Sequence, residues 1–234
     1  MTPAIEVKGV SKSFGRTRAL DGVDLVVPPG TFLGLIGHNG AGKSTLLELL
    51  FGRLSPTSGT VRVCGVEVCA EPAAARAVIG GVPEEAALYE WLTAREWFEL
   101  VAEVRGHGNV ASALAICDLG ADAERPIREY SQGMRRRTAL AAALLGEPPV
   151  VLLDEALNGL DPPSAARIKG ILRGVVDTGR TVVLSTHVIE TVERVADRVV
   201  MLANGRVVAD EAMASLGDRG LERLFLERLA ASRA

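Results

Sequence analysis

The sharpest chemistry in this sequence lies in Gly37-His38-Asn39-Gly40-Ala41-Gly42-Lys43-Ser44. The run matches the pattern of a phosphate-binding loop at every fixed position. Glycines at these spacings let backbone N–H groups turn inward and ring an anion. Thr45 and the apolar residues up to Phe51 predict a helix, whose N-terminus adds about half a positive charge toward the same anion. Lys43 supplies a mobile full charge for outer phosphates, and Ser44 a hydroxyl for Mg²⁺. The other lysines are Lys8, Lys12 and Lys169 only, so a lysine placed in a glycine-rich loop has a specific task. The ligand chemistry that fits is a nucleotide with several phosphates and its metal.

A second element supplies the complementary groups. Val150-Val151-Leu152-Leu153 is an apolar run ending in Asp154-Glu155. Adjacent carboxylates at a buried strand end repel each other, and a cation or a water to be activated relieves the cost. Asp154 is placed to hold the magnesium shell, and Glu155 to orient and polarise an attacking water. A third apolar run, Thr181 to Leu184, ends in Ser185-Thr186-His187, which puts a histidine at an equivalent strand end.

These groups need a scaffold. Ile5–Val10 and Leu25–Val27 read as short strands broken by turn residues, and Phe32–Ile36 as a strand feeding the phosphate loop. Val61–Val68 reads as a hairpin turning at Cys64-Gly65, Tyr89–Leu119 as helical, and Arg198–Leu202 as a strand leading into Asn204-Gly205. Buried runs alternating with helices imply an α/β fold with a mostly parallel sheet covered on both faces. Ligands bind at the C-terminal edge of such sheets, where the polar residues above fall. The tail from Leu216 to Ala234 is arginine-rich and amphipathic, and reads as a surface helix.

Composition narrows the classes. A net charge of −3 argues against a broad nucleic-acid surface. Three cysteines, Cys64, Cys69 and Cys117, fit no zinc spacing and read as reduced core or turn residues. Glu6 and Lys8 interrupt the N-terminus where a signal peptide needs an apolar run. No apolar stretch reaches the roughly 18 residues of a membrane span. The expectation is a soluble, cytoplasmic chain whose membrane role, if any, comes through a partner.

Tyr130-Ser131-Gln132-Gly133-Met134-Arg135 lies upstream of the Asp-Glu strand. With the phosphate loop and that strand, it resembles the signature of ABC (ATP-binding cassette) ATPases, usually Leu-Ser-Gly-Gly-Gln. Ser131 and Gly133 match; Gln132 stands for a glycine and Met134 for the glutamine. Ser131 and the amides after it, at a helix start, suit a γ-phosphate. In the family that phosphate belongs to ATP on the loop of a second subunit. The resemblance spans residues 5–210. It implies that Phe14 stacks on adenine, that Asn158-Gly159-Leu160-Asp161 passes between subunits beside the catalytic water, and that His187 contacts the γ-phosphate. The fold it implies is a P-loop NTPase core (1–82 and 147–210) carrying an antiparallel β arm, with a helical signature subdomain (83–146) and a helical tail (211–234). Arg135, Arg136 and Arg137 read as a solvated helix face rather than a nucleic-acid patch.

A further departure from the family bears on the metal. Glu84, in Val82-Pro83-Glu84-Glu85, stands where the family carries a glutamine that touches Mg²⁺. A carboxylate there should hold the metal more strongly than an amide. The resemblance also implies a separate polytopic permease docking near Glu84 and Tyr89-Glu90-Trp91, with Trp97 either in that surface or in the lobe's core. Overall it points to an ATP-hydrolysing transporter subunit that works as a dimer, with motifs closest to drug, antibiotic or lipid exporters. Two other readings stay open: a soluble cassette acting on nucleic acid or ribosomes, and a non-hydrolysing nucleotide switch. Long coiled coils or tandem cassettes would favour the first, and loss of Glu155 or His187 the second; the sequence has neither feature.

Overall fold

The computed structural model describes residues 2–85, 87–217 and 220–231. Strands β1 (Ile5–Phe14) and β2 (Thr17–Val27) form one long antiparallel hairpin, not the two short strands expected. The ladder absorbs the turn residues as register shifts: Gly9 sits between register breaks, and its amide donates to Asp24 Oδ1 at 2.8 Å. β3 (Phe32–Ile36) is buried throughout and leads into α1 (Lys43–Leu50). β4 (Ser58–Val63) and β5 (Val66–Glu67) are the expected hairpin turning at Cys64-Gly65. A short α2 (Pro72–Ala77) precedes β6 (Ile79–Val82).

The text expected to be helical from Tyr89 starts its first helix only at α3 (Ala94–Arg105). Thr93 fixes that start through a capping box: it accepts from the Glu96 amide while the Glu96 carboxylate accepts from the Thr93 amide. Gly106, with φ of 74°, ends the helix. Then come α4 (Val110–Cys117), α5 (Gln132–Leu144), β7 (Val150–Asp154), α6 (Pro162–Asp177), β8 (Thr181–Thr186) and α7 (Ile189–Val195). β9 (Arg198–Ala203), β10 (Arg206–Ala212), α8 (Met213–Leu216) and α9 (Leu221–Ala231) complete the order. In the tail, residues 218–219 and 232–234 lie outside the described residues, and α9 buries Leu221 and Leu224 beside Val192 of α7.

Two sheets result. One is antiparallel, in the order β2-β1-β4-β5; the other runs β10-β9-β3-β8-β7-β6 and is parallel except for its edge strand β10. α1 lies between the two, its four leucines packed with Ile5, Val23, Val61, Val150 and Val200. Each buried leucine contributes about 1.5–3 kcal/mol, so the helix that carries Lys43 and Ser44 is anchored from both sides. On the other face of the parallel sheet lie α5 and α6. α5 also forms the floor of a cluster with Phe98, Ile127 and Tyr130. Its alanine-rich sequence, Thr138 to Leu144, is what permits burial on two sides. Among the described residues, no helix is long and apolar enough to cross a membrane.

Gly80 of β6 is where this packing is tightest. A Cβ there would overlap the Ala143 carbonyl oxygen of α5 and come within 2.5 Å of Pro148 Cγ. Backbone oxygen cannot step aside as a side chain can, so Gly80→Ala is expected to cost about 3 kcal/mol of stability. Urea unfolding measures it; an unchanged midpoint would mean that α5 and β6 separate freely.

Candidate nucleotide site

Gly42 has φ of 107° and serves as the N-cap of α1, a conformation open to glycine and strained for other residues. It also fits against the Ala19 carbonyl, which a Cβ would approach to 2.7 Å. Leu46 is the first residue of α1 to find the regular acceptor, the Gly42 carbonyl. The amides of Lys43, Ser44 and Thr45 therefore face out of the helix start, which is an anion site by construction. Lys43 is 6% exposed. Its ammonium donates to the carbonyls of Gly37 at 2.9 Å and His38 at 3.3 Å, so the charge is held across the loop it follows. Ala41 is buried and accepts from the Gly205 amide, which ties the loop to the β9–β10 turn.

The loop opens on a cleft of about 430 Å³ lined by Phe14, Thr17, Arg18, Ala19, Asn39, Gly40, Gly42, Lys43, Ser44, Thr45, Glu84 and Glu155. That volume falls within the range of small-molecule sites. Phe14 ends β1 and is half exposed. The Lys12 ammonium lies 5.1 Å from its ring centroid and donates to the Ser55 carbonyl at 2.7 Å.

The catalytic candidates converge from three strand ends. Asp154 is buried and accepts from Ser185 Oγ at 2.5 Å across neighbouring strands. Glu155 has φ of 47°, a left-handed conformation uncommon for a non-glycine residue and frequent at functional sites. The turn takes Glu155 off the strand line and to the wall of the cleft. Asn158 Nδ2 donates to Glu155 Oε2 at 2.9 Å, and His187 Nδ1 lies 3.1 Å from Glu155 Oε1. The carboxylate is thus oriented by two side chains, one on each oxygen. Ser44 Oγ and Glu84 Oε2 are 3.5 Å apart at the loop's other side.

Ser131, Gly133 and Asp161 do not line this cleft. Ser131 caps α5, accepting from the Met134 amide at 3.2 Å. Gln132 beside it packs near Gly159. Asp161 caps α6, and the Ser164 amide, then its hydroxyl, hold the Asp161 carboxyl below its usual range. The arginines expected as a solvated face of α5 are partly exposed and also bonded to neighbouring backbone. Arg135 donates to the carbonyls of Tyr130 and Arg128, Arg136 to that of Glu84, and Arg137 to that of Asp118. Helix and strand ends nearby leave carbonyls to satisfy, and guanidinium forks reach them. Tyr89 and Trp91 are exposed, at 63% and 76%; Trp97 is partly buried in the helical cluster, edge-on to Tyr89 at 5.4 Å. Cys64 lies in a turn, Cys69 is exposed and Cys117 is buried; burial pushes the Cys64 and Cys117 thiols up.

Sequence reasoning missed Arg18 and Thr17 on the cleft wall, Ser185 as the partner of Asp154, and Lys12 behind Phe14. Pairings between strands distant in sequence leave no local signal. Lys12 is two residues from Phe14, a spacing that places both on one face of a strand.

Comparison with known proteins places the chain in one family. The profile of the family described as ABC transporter matches residues 20–158. The chain is 38% identical to the daunorubicin/doxorubicin resistance ATP-binding protein DrrA of Streptomyces peucetius, over 94% of this chain and 70% of that one. It is 32% identical to the bacitracin transport ATP-binding protein BcrA of Enterococcus faecalis, over 94% and 72%. Among solved structures, an ATP-binding subunit of an ABC transporter superposes with a TM-score of 0.89 at 30% identity, covering 96% of this chain and 99% of that one. A dimeric ATP-binding cassette in a post-hydrolysis state bound to ADP and Pi superposes with a TM-score of 0.83 at 28% identity, over 89% and 98%.

Proposed function

Because the chain belongs to the ABC transporter family, we propose that its ATP hydrolysis drives export of a small molecule through a separate membrane permease. The observation that carries the reading is the division of the site. The phosphate loop and Glu155 share one cleft, while the Ser131 turn stands apart from it on the same chain. ATP held by one chain therefore lacks a donor on its outer side, and the Ser131 turn of a second chain would supply it. Charge-assisted hydrogen bonds are worth about 1.5–3 kcal/mol each. Several at each of two nucleotides would close a dimer that is weak without ATP. Hydrolysis removes the shared phosphate and releases the two chains, a switch driven by the γ-phosphate.

Each residue then has a task. The amides opening α1 and the ammonium of Lys43 bind the phosphates, and Phe14 offers its ring to the adenine. Glu155, oriented by Asn158 and His187, accepts a hydrogen bond from the attacking water and aims it at phosphorus. His187 stands next to Glu155 to reach the γ-phosphate. Ser44 and Glu84, 3.5 Å apart, and the buried Asp154 would offer oxygen donors of the kind that suit Mg²⁺, which is held by one or two carboxylates, waters and substrate phosphates. When bound, the ion neutralises charge on the phosphates. Asp154 is kept in place by Ser185.

Glu84 makes a specific prediction. A carboxylate in place of an amide adds about 2 kcal/mol of attraction to a divalent ion at 4 Å in water, roughly thirtyfold in affinity. Magnesium titration of ATPase activity should half-saturate about thirtyfold lower in the native chain than in Glu84→Gln. Superimposable titrations would remove Glu84 from the metal's surroundings.

The permease would dock beside Glu84 and the exposed Tyr89 and Trp91, placing this chain on the cytoplasmic face of the membrane. Named relatives that confer daunorubicin resistance or transport bacitracin support an exporter. Affinity purification of the chain from gently solubilised membranes of its own host tests the reading. A polytopic membrane protein near 1:1 is expected; recovery of soluble factors or nucleic acid alone would overturn it.

A further inference from the structure

The residues leading to the Ser131 turn are laced to the exposed aromatic loop. The Ile127 amide donates to the Leu92 carbonyl at 2.8 Å, and the Arg128 amide to the Glu90 carbonyl at 2.9 Å. Thr93 and Pro126 pair as an isolated bridge. Two segments more than thirty residues apart thus form a short ladder. The Arg128 guanidinium lies over the Trp91 ring, 4.3 Å from its centroid. Arg135 closes the ladder from α5. It donates to the Glu90 carboxylate at 2.7 Å, the Arg128 carbonyl at 3.1 Å and the Tyr130 carbonyl at 3.4 Å. Its own amide donates to the Ser131 carbonyl at 2.9 Å.

We propose that Arg135 is a positioning residue that joins the Tyr89–Leu92 loop and the Ser131 turn into one body. A partner seated on Tyr89 and Trp91 would then set the angle at which Ser131 meets the nucleotide of the second chain. This rests on the reading of Ser131 given above.

The chemistry favours arginine. A planar fork with five donors can hold a carboxylate and two carbonyls in fixed directions; an ammonium on a flexible stem cannot. The Arg135–Glu90 pair is partly exposed, with side chains 34% and 56% accessible, so as an ion pair it adds little to stability. Its value is geometric. It connects a loop, a turn and a helix through one guanidinium.

Two measurements on the purified full chain test the idea. Amide hydrogen exchange without nucleotide is the first. Arg135→Ala is expected to speed exchange on the order of tenfold in both 89–93 and 127–134, and Glu90→Ala to affect both segments less. The double variant should be no faster than Arg135→Ala alone. Faster exchange confined to 130–135 would overturn the proposal. The second compares affinities in a Glu155→Gln background. The ATP concentration that half-forms the dimer should rise about tenfold in Arg135→Ala and recover only partly in Arg135→Lys. Binding of ATP to the monomer should not change. An unchanged dimerisation midpoint would overturn the coupling. If the parent forms no ATP-dependent dimer, the reading of Ser131 falls, and hydrogen exchange by itself decides whether Arg135 makes one body of the two segments.

Discussion

Glu155→Gln is expected to lower steady-state ATP hydrolysis by about 10²- to 10⁴-fold, the contribution of a positioned general base. ATP binding should survive, because the phosphate loop and Phe14 are untouched. The amide keeps the shape of the carboxyl group, so Asn158 and His187 retain neighbours at their present distances of 2.9 Å and 3.1 Å. What it loses is the negative charge that draws a proton from water. The same variant should accumulate an ATP-bound dimer, visible by gel filtration at saturating ATP, since the shared phosphate is no longer removed. Turnover within a few-fold of the native chain would show that Glu155 is not the base and would revive the reading of a nucleotide switch.

Lys43→Ala is expected to weaken ATP binding by at least about tenfold. The ammonium is buried against its own loop and is the cation that the phosphate-loop pattern places on the outer phosphates. Losing one or two charge-assisted hydrogen bonds costs roughly 1.5–3 kcal/mol apiece. Without ATP the lysine satisfies the Gly37 and His38 carbonyls, so its loss should also lower stability slightly. The ordering of effects is the test. Equilibrium binding of a fluorescent ATP analogue should collapse while the unfolding midpoint moves little. Native affinity in the variant would mean that the loop amides and the dipole of α1 suffice to hold the phosphates.

The Gly37–Ser44 loop, the Asp154-Glu155 strand end and the parallel core were legible without coordinates. Each is a local pattern. A β-strand alternates or is wholly apolar over a few residues, and a phosphate loop needs glycines at set intervals, so sequence spacing alone reports it. Thr93 was less legible as a helix start. Tyr89–Leu92 has helical composition, yet the capping box at Thr93 and the pairing of this loop with 126–128 draw it out of the helix. Tertiary hydrogen bonds overrode propensity, which amounts to only tenths of a kcal/mol per residue. The β1–β2 hairpin was underread for a related reason. Bulges at glycine positions let turn residues remain inside a ladder.

The sequence by itself determined which candidate groups this protein carries for ATP: a lysine and a hydroxyl on one loop, two carboxylates at one strand end, a histidine after another, and a capped serine elsewhere. Covalent order suffices there, because each motif is a short run of consecutive residues, the longest being the eight of Gly37–Ser44. Only the tertiary structure decided who faces whom. It set Glu155 between Asn158 and His187, hid Asp154 behind Ser185, kept Ser131 out of its own chain's cleft, and tied Arg135 to Glu90. Such contacts join residues up to 45 positions apart, and their geometry follows from sheet order and helix packing. Those depend on the whole buried core rather than on any window of the chain.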